Sequence, residues 1–211
     1  MYDSYIAAHL KEKSPFILNM ESYAEENHVP IMSASAIETF LGLLSLQNPM
    51  SILEIGSAIG YSAIRIAEAF PHAEVTTIER DADRYEKAVE YINASNVTNQ
   101  IQIIKADALE LEVGEALNDA YDALFIDAAK GQYQRFFEKY APLVKTEGVI
   151  YCDNMFMHGM VLREDVELPR RKRTMIRNLR KFMAWIMAHP DFNASLLPVG
   201  DGILIAIKKE A

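Results

Sequence analysis

The sequence predicts an α/β fold in which a mostly parallel sheet is covered by helices on both faces. Short apolar runs alternate with helical patterns from about residue 51 onward. Such alternation is typical of parallel strands joined by helical crossovers. Helical patterns precede the first strand, and two strands about a Gly-Asp-Gly turn follow the last helix. A chain of 211 residues is long enough for one domain of this kind.

The composition indicates a folded globular protein and excludes several functional classes. Half of the residues are hydrophobic and 24% are charged, which is close to the average for globular proteins. The one cysteine, Cys152, excludes a disulfide framework or a thiolate metal cluster. A net charge of -9 argues against a general binder of nucleic acid or anionic membranes. With no signal-like N-terminus and no apolar run of about 20 residues, we expect a cytoplasmic protein without membrane contact.

Three helices are predicted in residues 1–47, where apolar residues recur at helical spacing. They lie near Ile6, from about Phe16 to Glu26, and after Ser33 or Ser35, either of which could cap the third helix. We interpret these helices as an N-terminal cap (1–47) on the core (48–211) of a single domain.

Five buried strands are predicted next, as short apolar runs at Ser51–Ile55, Glu74–Ile78, Ile101–Ile104, Ala123–Ile126 and Val149–Cys152. The helices expected between them run from Tyr61 to Phe70, from a cap at Asp81 or Asp83, and from about Tyr133 to Leu143. The tail segments Leu196–Val199 and Ile203–Ile207 flank Gly200-Asp201-Gly202 and predict a hairpin at an antiparallel edge.

Each of the five predicted parallel strands has an acidic residue at or beside its carboxyl end: Glu54, Glu79, Asp107, Asp127 and Asp153. Ligands of open α/β sheets bind at this edge. Strand ends also face solvent, where one or two acids mean little. Five on one edge favour a functional interpretation.

The loop after the first strand favours a particular class of ligand. Gly56 and Gly60 have the spacing Gly-x-x-x-Gly, which differs from the Gly-x-Gly-x-x-Gly of dinucleotide enzymes. Glu54, just before the loop, would repel a pyrophosphate but suits a cationic ligand. Glu79 ends the second strand, where a carboxylate commonly binds a ribose diol. A ribose and a positive charge without phosphates indicate S-adenosylmethionine.

A second group of residues has the chemistry of a hard metal site. Asp127, Asp153 and Asn154 offer oxygen ligands without a neighbouring Cys or His. That set suits Mg²⁺, Mn²⁺ or Ca²⁺ rather than Zn²⁺. Lys130 follows Asp127 by three residues and is the candidate general base. A solvated loop lysine is the alternative interpretation.

Together these stretches resemble the metal-dependent O-methyltransferase family that includes catechol and caffeoyl-CoA O-methyltransferases. The resemblance covers about Val29 to Lys208. Its motifs are Leu53–Ala63, Thr77–Glu79, Asp107–Leu109, Phe125–Lys130 and Gly148–Asn154. Ala129 departs from the pattern of many relatives, which have a second Asp there, so that ligand is missing.

The resemblance implies a Rossmann-like class I methyltransferase fold, with a mostly parallel seven-stranded sheet and an antiparallel C-terminal hairpin. It also implies a homodimer, an S-adenosylmethionine cofactor and a Mg²⁺ or Mn²⁺ ion. Glu79 would hold the ribose, Asp107 and Ala108 would border the adenine, and Met32 would cover the donor. Lys130 would be catalytic. Gly56, Ser57 and Ser62 would line the methionine part, and Glu54, Gly60 and Tyr61 are further candidates for binding the donor. The candidate metal ligands are Asp127, which would also touch the donor, Asp153 and Asn154.

Within the family, the closer resemblance is to bacterial members that methylate 5-hydroxyuridine at the wobble position of tRNA. A helix with a cluster of basic residues supports a tRNA anticodon loop as partner, and its candidate RNA-binding residues are Arg170, Arg171, Lys172, Arg173 and Arg177. Alternatively, this is a solvated face that balances Glu164, Asp165 and Glu167.

Two other functions remain open at this point. The first is a small-molecule O-methyltransferase of the catechol or caffeoyl-CoA type. The second is a non-enzymatic nucleotide-binding module, against which Glu54 and the absent Gly-x-Gly-x-x-Gly argue.

Overall fold

The computed structural model describes residues 5–6 and 8–210, and the chain divides into two compact units, residues 1–108 and 109–211. The first predicted helix, near Ile6, lies partly outside the described residues. The predicted cap (1–47) falls inside the first unit. The prediction of one domain with a cap and a core stays a prediction.

The first unit alternates helices and strands after two N-terminal helices. Its elements are α1 (Pro15–Glu26), α2 (Ala34–Gln47), β1 (Ser51–Ile55), α3 (Tyr61–Ala69), β2 (Glu74–Glu79), α4 (Ala82–Ala94) and β3 (Ile101–Lys105). Side chains cap three of the helices, as their sequences favour. Ser14 accepts from the Ile17 amide, Ser33 from Ala36 and Asp81 from Arg84.

Strand β2 lies at the centre of the first unit and pairs in parallel with both β1 and β3. The register places Glu54 opposite Thr77 and Ile55 opposite Ile78. Because the three strands are parallel, their carboxyl ends meet at one edge, and the candidate residues Glu54 and Glu79 both belong to that edge.

The second unit contains four strands and three helices among its described residues. Its elements are α5 (Val113–Ala116), β4 (Tyr121–Ile126), α6 (Tyr133–Tyr140), β5 (Val144–Cys152), α7 (Arg170–Met187), β6 (Phe192–Leu197) and β7 (Ile203–Lys208). Strand β5 pairs in parallel with β4 and antiparallel with β7, and β7 pairs antiparallel with β6. The predicted C-terminal hairpin is therefore confirmed.

Several element boundaries differ from the prediction, among them those of α6, β5 and the hairpin strands. Pro142 cannot continue a helix, so α6 ends at Tyr140 and a 3₁₀ turn follows. Strand β5 begins at Val144, ahead of the predicted Val149, and contains an irregularity at Glu147, where φ is 61°. In the hairpin, Leu197 pairs with Ile203, so the turn covers residues 198–202.

Aromatic packing fixes helices α6 and α7 on each other. Phe137 of α6 contacts Phe182 and Trp185 of α7, with ring centroids 5.9 and 5.5 Å apart. These aromatic side chains extend the core of the second unit. Among the helices that the structure describes, none has the length and apolar character needed to span a bilayer.

Candidate active site

The glycine loop of the first unit connects β1 to α3 in a conformation that few side chains tolerate. Residues Gly56, Ala58 and Gly60 have φ values of 99°, 47° and 80°. The amides of Gly56 and Ser57 donate to the carbonyl of Ile78 on the neighbouring strand, at 2.9 and 3.3 Å. The loop is therefore held as a fixed backbone cradle at the start of α3.

Ser57 provides a sign that this cradle has a ligand. Its hydroxyl oxygen is buried, and among the described residues it has no hydrogen-bond partner. A buried hydroxyl without a partner is costly and calls for an explanation. A polar ligand seated on the loop would supply the missing hydrogen bond.

Glu54 lies beneath the loop and has no solvent-exposed surface. One carboxylate oxygen accepts from the Ser62 hydroxyl, and the other accepts from Thr77 Oγ1 at 2.5 Å. The carboxylate thus connects β1 to β2 and to the first turn of α3. The sequence suggested a cationic ligand for Glu54, whereas the hydrogen bonds described here join it to hydroxyl groups of the protein.

Glu79 is the residue that closes the loop. Its Oε2 accepts from the Ala58 amide at 2.8 Å, and its Oε1 accepts from the amides of Arg80 and Asp81 at 2.9 and 2.8 Å. A carboxylate oxygen can accept more than one hydrogen bond. Oε2 therefore retains capacity for a further donor, such as a ribose hydroxyl.

Tyr61 follows the loop, but its hydroxyl is directed to another part of the first unit. It donates to Glu21 Oε1 of α1 at 2.5 Å, and Lys13 contacts the same oxygen at 2.6 Å. Burial and the Glu21 charge raise the pKa of the Tyr61 phenol. The side chain therefore connects α1 to α3, and the assignment of Tyr61 to the donor site stays a prediction.

The remaining candidates of the first unit differ in their burial and position. Gly60 is the N-cap residue of α3. Met32 and Ala108 are buried, and Asp107 is partly exposed with Arg80 Nη1 at 3.5 Å. Their assignment to the donor stays a prediction.

In the second unit, Asp127 follows β4 directly and forms an ion pair with Lys130. The Lys130 ammonium donates to Asp127 Oδ1, and each side chain is about one-fifth exposed. The predicted base and the predicted metal ligand are therefore in direct contact, so the interpretation of Lys130 as a freely solvated lysine is wrong.

Asp153 follows β5 directly and is only 2% exposed. Its Oδ1 has no hydrogen-bond partner among the described residues. Burial first, and then the charge of Asp127, raises the pKa of Asp153 to about 7, while the Asn154 backbone and Lys130 act in the opposite direction. A buried carboxylate and a partly buried one that repel each other form a site that a cation would stabilise.

Asn154 completes the predicted ligand set in an unusual conformation, with φ at 59°. Within the described ranges, 5–6 and 8–210, no group of three His, Cys, Asp or Glu side chains is placed to hold a metal. The candidate site therefore depends on two carboxylates and the Asn154 amide. Oxygen-only sets of this size are typical of Mg²⁺, which keeps several waters.

Helix α7 presents its basic residues in two different ways. Arg170 and Arg171 are exposed, Lys172 is partly exposed, and Arg177 approaches Asp165 at 3.5 Å. Arg173 instead donates to the backbone carbonyls of Leu168 and Val166, at 3.1 and 3.3 Å. The predicted RNA-binding set is therefore divided, because the Arg173 guanidinium is engaged within the second unit.

Sequence reasoning did not identify the segment 155–168 as part of the site. The amides of Met155 and Phe156 donate to the carbonyls of Gly202 and Asp201, at 3.0 and 2.8 Å. The segment begins directly after Asn154, and its position depends on this distant hairpin turn. The turn and the segment meet closely at Gly202, where a methyl group would lie 2.6 Å from Phe156 Cδ2.

Comparisons with known proteins show the family to which the chain belongs. A model of the O-methyltransferase family matches residues 8–209. The catechol O-methyltransferase of Niastella koreensis is 30% identical over 217 residues, which cover 98% of this chain and 96% of that protein. The caffeoyl-CoA O-methyltransferase of Populus kitakamiensis is 31% identical over 168 residues, covering 77% and 72%.

Solved structures show the same fold. A Staphylococcus aureus protein, provisionally assigned as a caffeoyl-CoA O-methyltransferase, has a TM-score of 0.90 at 36% identity, with 98% of each chain covered. The O-methyltransferase from Bacillus cereus in complex with SAH has a TM-score of 0.84 at 25% identity, covering 98% of this chain and 96% of that one. The predicted fold class is confirmed, while the closer resemblance to tRNA-methylating members stays a prediction. The chain belongs to the O-methyltransferase family.

Proposed function

We propose that the protein transfers a methyl group from S-adenosylmethionine to a hydroxyl oxygen of a small catechol-type acceptor, with Mg²⁺ or Mn²⁺ bound. Membership of the family supports methyl transfer to oxygen. The similarity to a catechol O-methyltransferase over nearly the full length of both chains supports the acceptor class. The SAH complex of the Bacillus cereus relative supports the donor.

The observation that carries the proposal is the unsatisfied Oδ1 of Asp153 near the negative charge of Asp127. A divalent cation held by these carboxylates and by Asn154 would relieve both the missing contact and the repulsion. When bound, such an ion lowers the pKa of a chelated hydroxyl and fixes the attacking oxygen. An acceptor with two adjacent oxygens, as in a catechol, suits the open coordination positions.

The residues of the first unit are assigned to the donor. Glu79 accepts from the ribose hydroxyls through the free capacity of Oε2, and Ser57 provides the unpaired hydroxyl beside the methionine part. Ser62 is fixed by Glu54, and Met32, Asp107 and Ala108 border the rest of the donor. Since Glu79 already binds the loop amide, this site is formed before the donor arrives, which favours in-line positioning.

Lys130 is assigned to the proton of the acceptor hydroxyl. Its ion pair with Asp127 holds the ammonium group beside the carboxylate pair. After releasing one proton to solvent, the neutral amine would take the proton of the acceptor hydroxyl. Asp127 thus serves two groups, the amine and the cation. A homodimer and a cytoplasmic location are further parts of the proposal, and light scattering on the purified protein tests the dimer.

The test is methyl transfer from labelled S-adenosylmethionine to catechol, with added Mg²⁺ and after exhaustive chelation. We expect activity that requires the metal and is lost in Asp153→Asn, whereas Asp119→Asn, a change at an exposed acid before β4, retains it. Full activity of Asp153→Asn or of the chelated protein would contradict the metal assignment. Absence of transfer to any catechol-type acceptor would contradict the acceptor class.

A second candidate acceptor is the wobble 5-hydroxyuridine of tRNA, because Arg170 and Arg171 on α7 remain exposed. Its 5-hydroxyl and neighbouring carbonyl also form a two-oxygen chelate, and loop bases are accessible to a pocket. Hypomodified tRNA is therefore assayed beside catechol. If tRNA is the acceptor, the double variant Arg170→Glu with Arg171→Glu should methylate tRNA more weakly and with a smaller salt dependence. Its methylation of catechol should be unchanged.

A further inference from the structure

Arg180 of α7 binds one short stretch of the chain, with Nε and Nη2 on backbone carbonyls and Nη1 on a carboxylate. Nε donates to the carbonyl of Val161 at 3.0 Å, and Nη2 donates to the carbonyls of Met160, at 3.5 Å, and Arg163. Nη1 donates to Asp165 Oδ1 at 2.8 Å. A planar guanidinium can bind several oxygens at fixed angles, which a lysine cannot reproduce. One side chain therefore sets the path of residues 160–165.

This stretch is the second half of the 155–168 segment, which begins immediately after the candidate ligands Asp153 and Asn154. The first half is held by the hairpin turn, where Asp201 also accepts from the His158 amide at 2.6 Å. The second half is held by α7, through Arg180 and through Arg173. The segment is thus fixed at two separate places in the second unit.

The backbone of the segment requires such fixing. Asn154, Met157 and His158 have φ values of 59°, 47° and 52°, in the left-handed region that non-glycine residues rarely adopt. Conformations of this kind persist only where surrounding contacts impose them, and they occur often at ligand sites. Apolar packing contributes on one side, where Met160 and Leu168 join Ile176 of α7 in a buried cluster.

We propose that Arg180 is a positioning residue, which holds the 155–168 segment in the conformation that forms one wall of the acceptor site. The proposal rests on the proposed function, since it takes Asp153 and Asn154 as the centre at which the acceptor binds. The side chain of Arg180 acts through the backbone it binds and has no part in the chemistry. Its loss therefore weakens acceptor binding and leaves donor binding intact.

Three variants test this assignment with catechol as the acceptor. Arg180→Met removes the guanidinium, and Arg180→Lys keeps the positive charge without the planar set of donors. The matched control, Lys181→Met, removes a neighbouring exposed charge. We expect Arg180→Met to raise KM for catechol by at least about tenfold, because several charge-assisted hydrogen bonds are lost. We expect kcat and the Kd of S-adenosylmethionine to change less than about twofold. Arg180→Lys recovers part of the loss, and Lys181→Met matches the unmodified protein.

A second measurement does not depend on turnover. In Arg180→Met, amide hydrogen exchange accelerates across residues 155–168 and stays unchanged in β4 and β5. Unaltered exchange in the segment, or equal loss of donor and acceptor binding, overturns the positioning role. If the unmodified protein transfers no methyl group to catechol-type acceptors, the proposed function fails, and the exchange experiment still decides the role of Arg180.

Discussion

The Tyr133 hydroxyl donates a 2.9 Å hydrogen bond to the backbone carbonyl of Asp153. Tyr133 is the first residue of α6, and Asp153 follows the end of β5, so the bond joins two elements across the candidate metal site. Burial raises the pKa of the Tyr133 phenol well above its usual value, with the charge of Asp127 adding to the effect. The phenol therefore remains a neutral donor at physiological pH.

Tyr133→Phe removes this bond while keeping the ring, which packs on Phe182 with centroids 5.9 Å apart. We expect the free energy of unfolding to fall by about 1 kcal/mol, the usual net value of one hydrogen bond. We expect Mn²⁺ affinity to fall about tenfold, as supporting residues around metal ligands commonly show. Urea unfolding and metal titration measure the two effects, and unchanged Mn²⁺ affinity would contradict this role.

Metal binding should release a proton in a pH-dependent way, because the pKa of Asp153 is raised from 3.8 to about 7. At pH 6, the metal-free folded protein holds a proton on Asp153 that a cation must displace. At pH 8 that proton is already lost. Calorimetric titration with Mn²⁺ in two buffers of different ionisation enthalpy should show release at pH 6 and little at pH 8. Equal proton release at both values would be inconsistent with the raised pKa.

The raised pKa of Asp153 also predicts how the free energy of unfolding of the metal-free protein changes with pH. Between pH 3.8 and about 7, the folded state keeps the Asp153 proton that the unfolded chain has lost. The free energy of unfolding contributed by this group therefore decreases as pH rises through that range. Asp153→Asn should reduce this slope in the metal-free protein, as measured by thermal unfolding at a series of pH values. An identical slope in the variant would refute the assignment.

Ser62→Ala should destabilise the first unit and weaken donor binding. It removes the hydrogen bond that the Ser62 hydroxyl donates to one oxygen of the fully buried Glu54, and a hydrogen bond to a charged group is worth about 1.5–3 kcal/mol. Ser45→Ala is the matched control, since the exposed Ser45 hydroxyl bonds only the carbonyl of Leu41 in its own helix. Thermal unfolding and S-adenosylmethionine titration provide the comparison. Equal effects of the two changes would argue against the Glu54 network.

Gly202→Ala should disturb the anchoring of the 155–168 segment. The added methyl group meets Phe156 Cδ2 at 2.6 Å, and the residue has a φ of 90° that disfavours any side chain. Overpacking of this kind costs about 1–3 kcal/mol. Gly114→Ala in α5, where nothing lies within 4 Å, serves as the control. Urea unfolding measures both, and a neutral Gly202→Ala would mean that the hairpin turn does not hold the segment tightly.

Local patterns predicted the elements and the candidate residues at the strand ends. In each unit, the acids lie at the carboxyl ends of the strands, Glu54 and Glu79 at β1 and β2, and Asp127 and Asp153 after β4 and β5, because strand direction fixes which edge each acid joins. The ends of helices and strands were predicted wrongly where the spacing of apolar residues does not mark them, as at Pro142 and in the hairpin turn.

The contacts between distant residues were beyond the reach of local patterns. The bond from Tyr61 to Glu21 spans 40 positions, and the bond from Arg180 to Val161 spans 19. The spacing of residues along a helix does not identify Glu21 as the partner of Tyr61 or the Val161 carbonyl as the partner of Arg180, since other acids and carbonyls lie at similar distances along the chain. Helix α7 shows the consequence most clearly, because a basic run that predicts a nucleic-acid surface also contains arginines that bind backbone.

The ion pair between Lys130 and Asp127 has a consequence for metal exchange. A divalent cation that binds the Asp127 carboxylate competes with an ammonium group already attached to it. Part of the attraction between cation and site is therefore offset by the loss of this pair, which lowers the net affinity. A site with this lowered affinity exchanges its cation with solvent readily and does not hold it permanently. The turnover rate would then depend on the concentration of free Mg²⁺ and not on whether the protein was once loaded with metal.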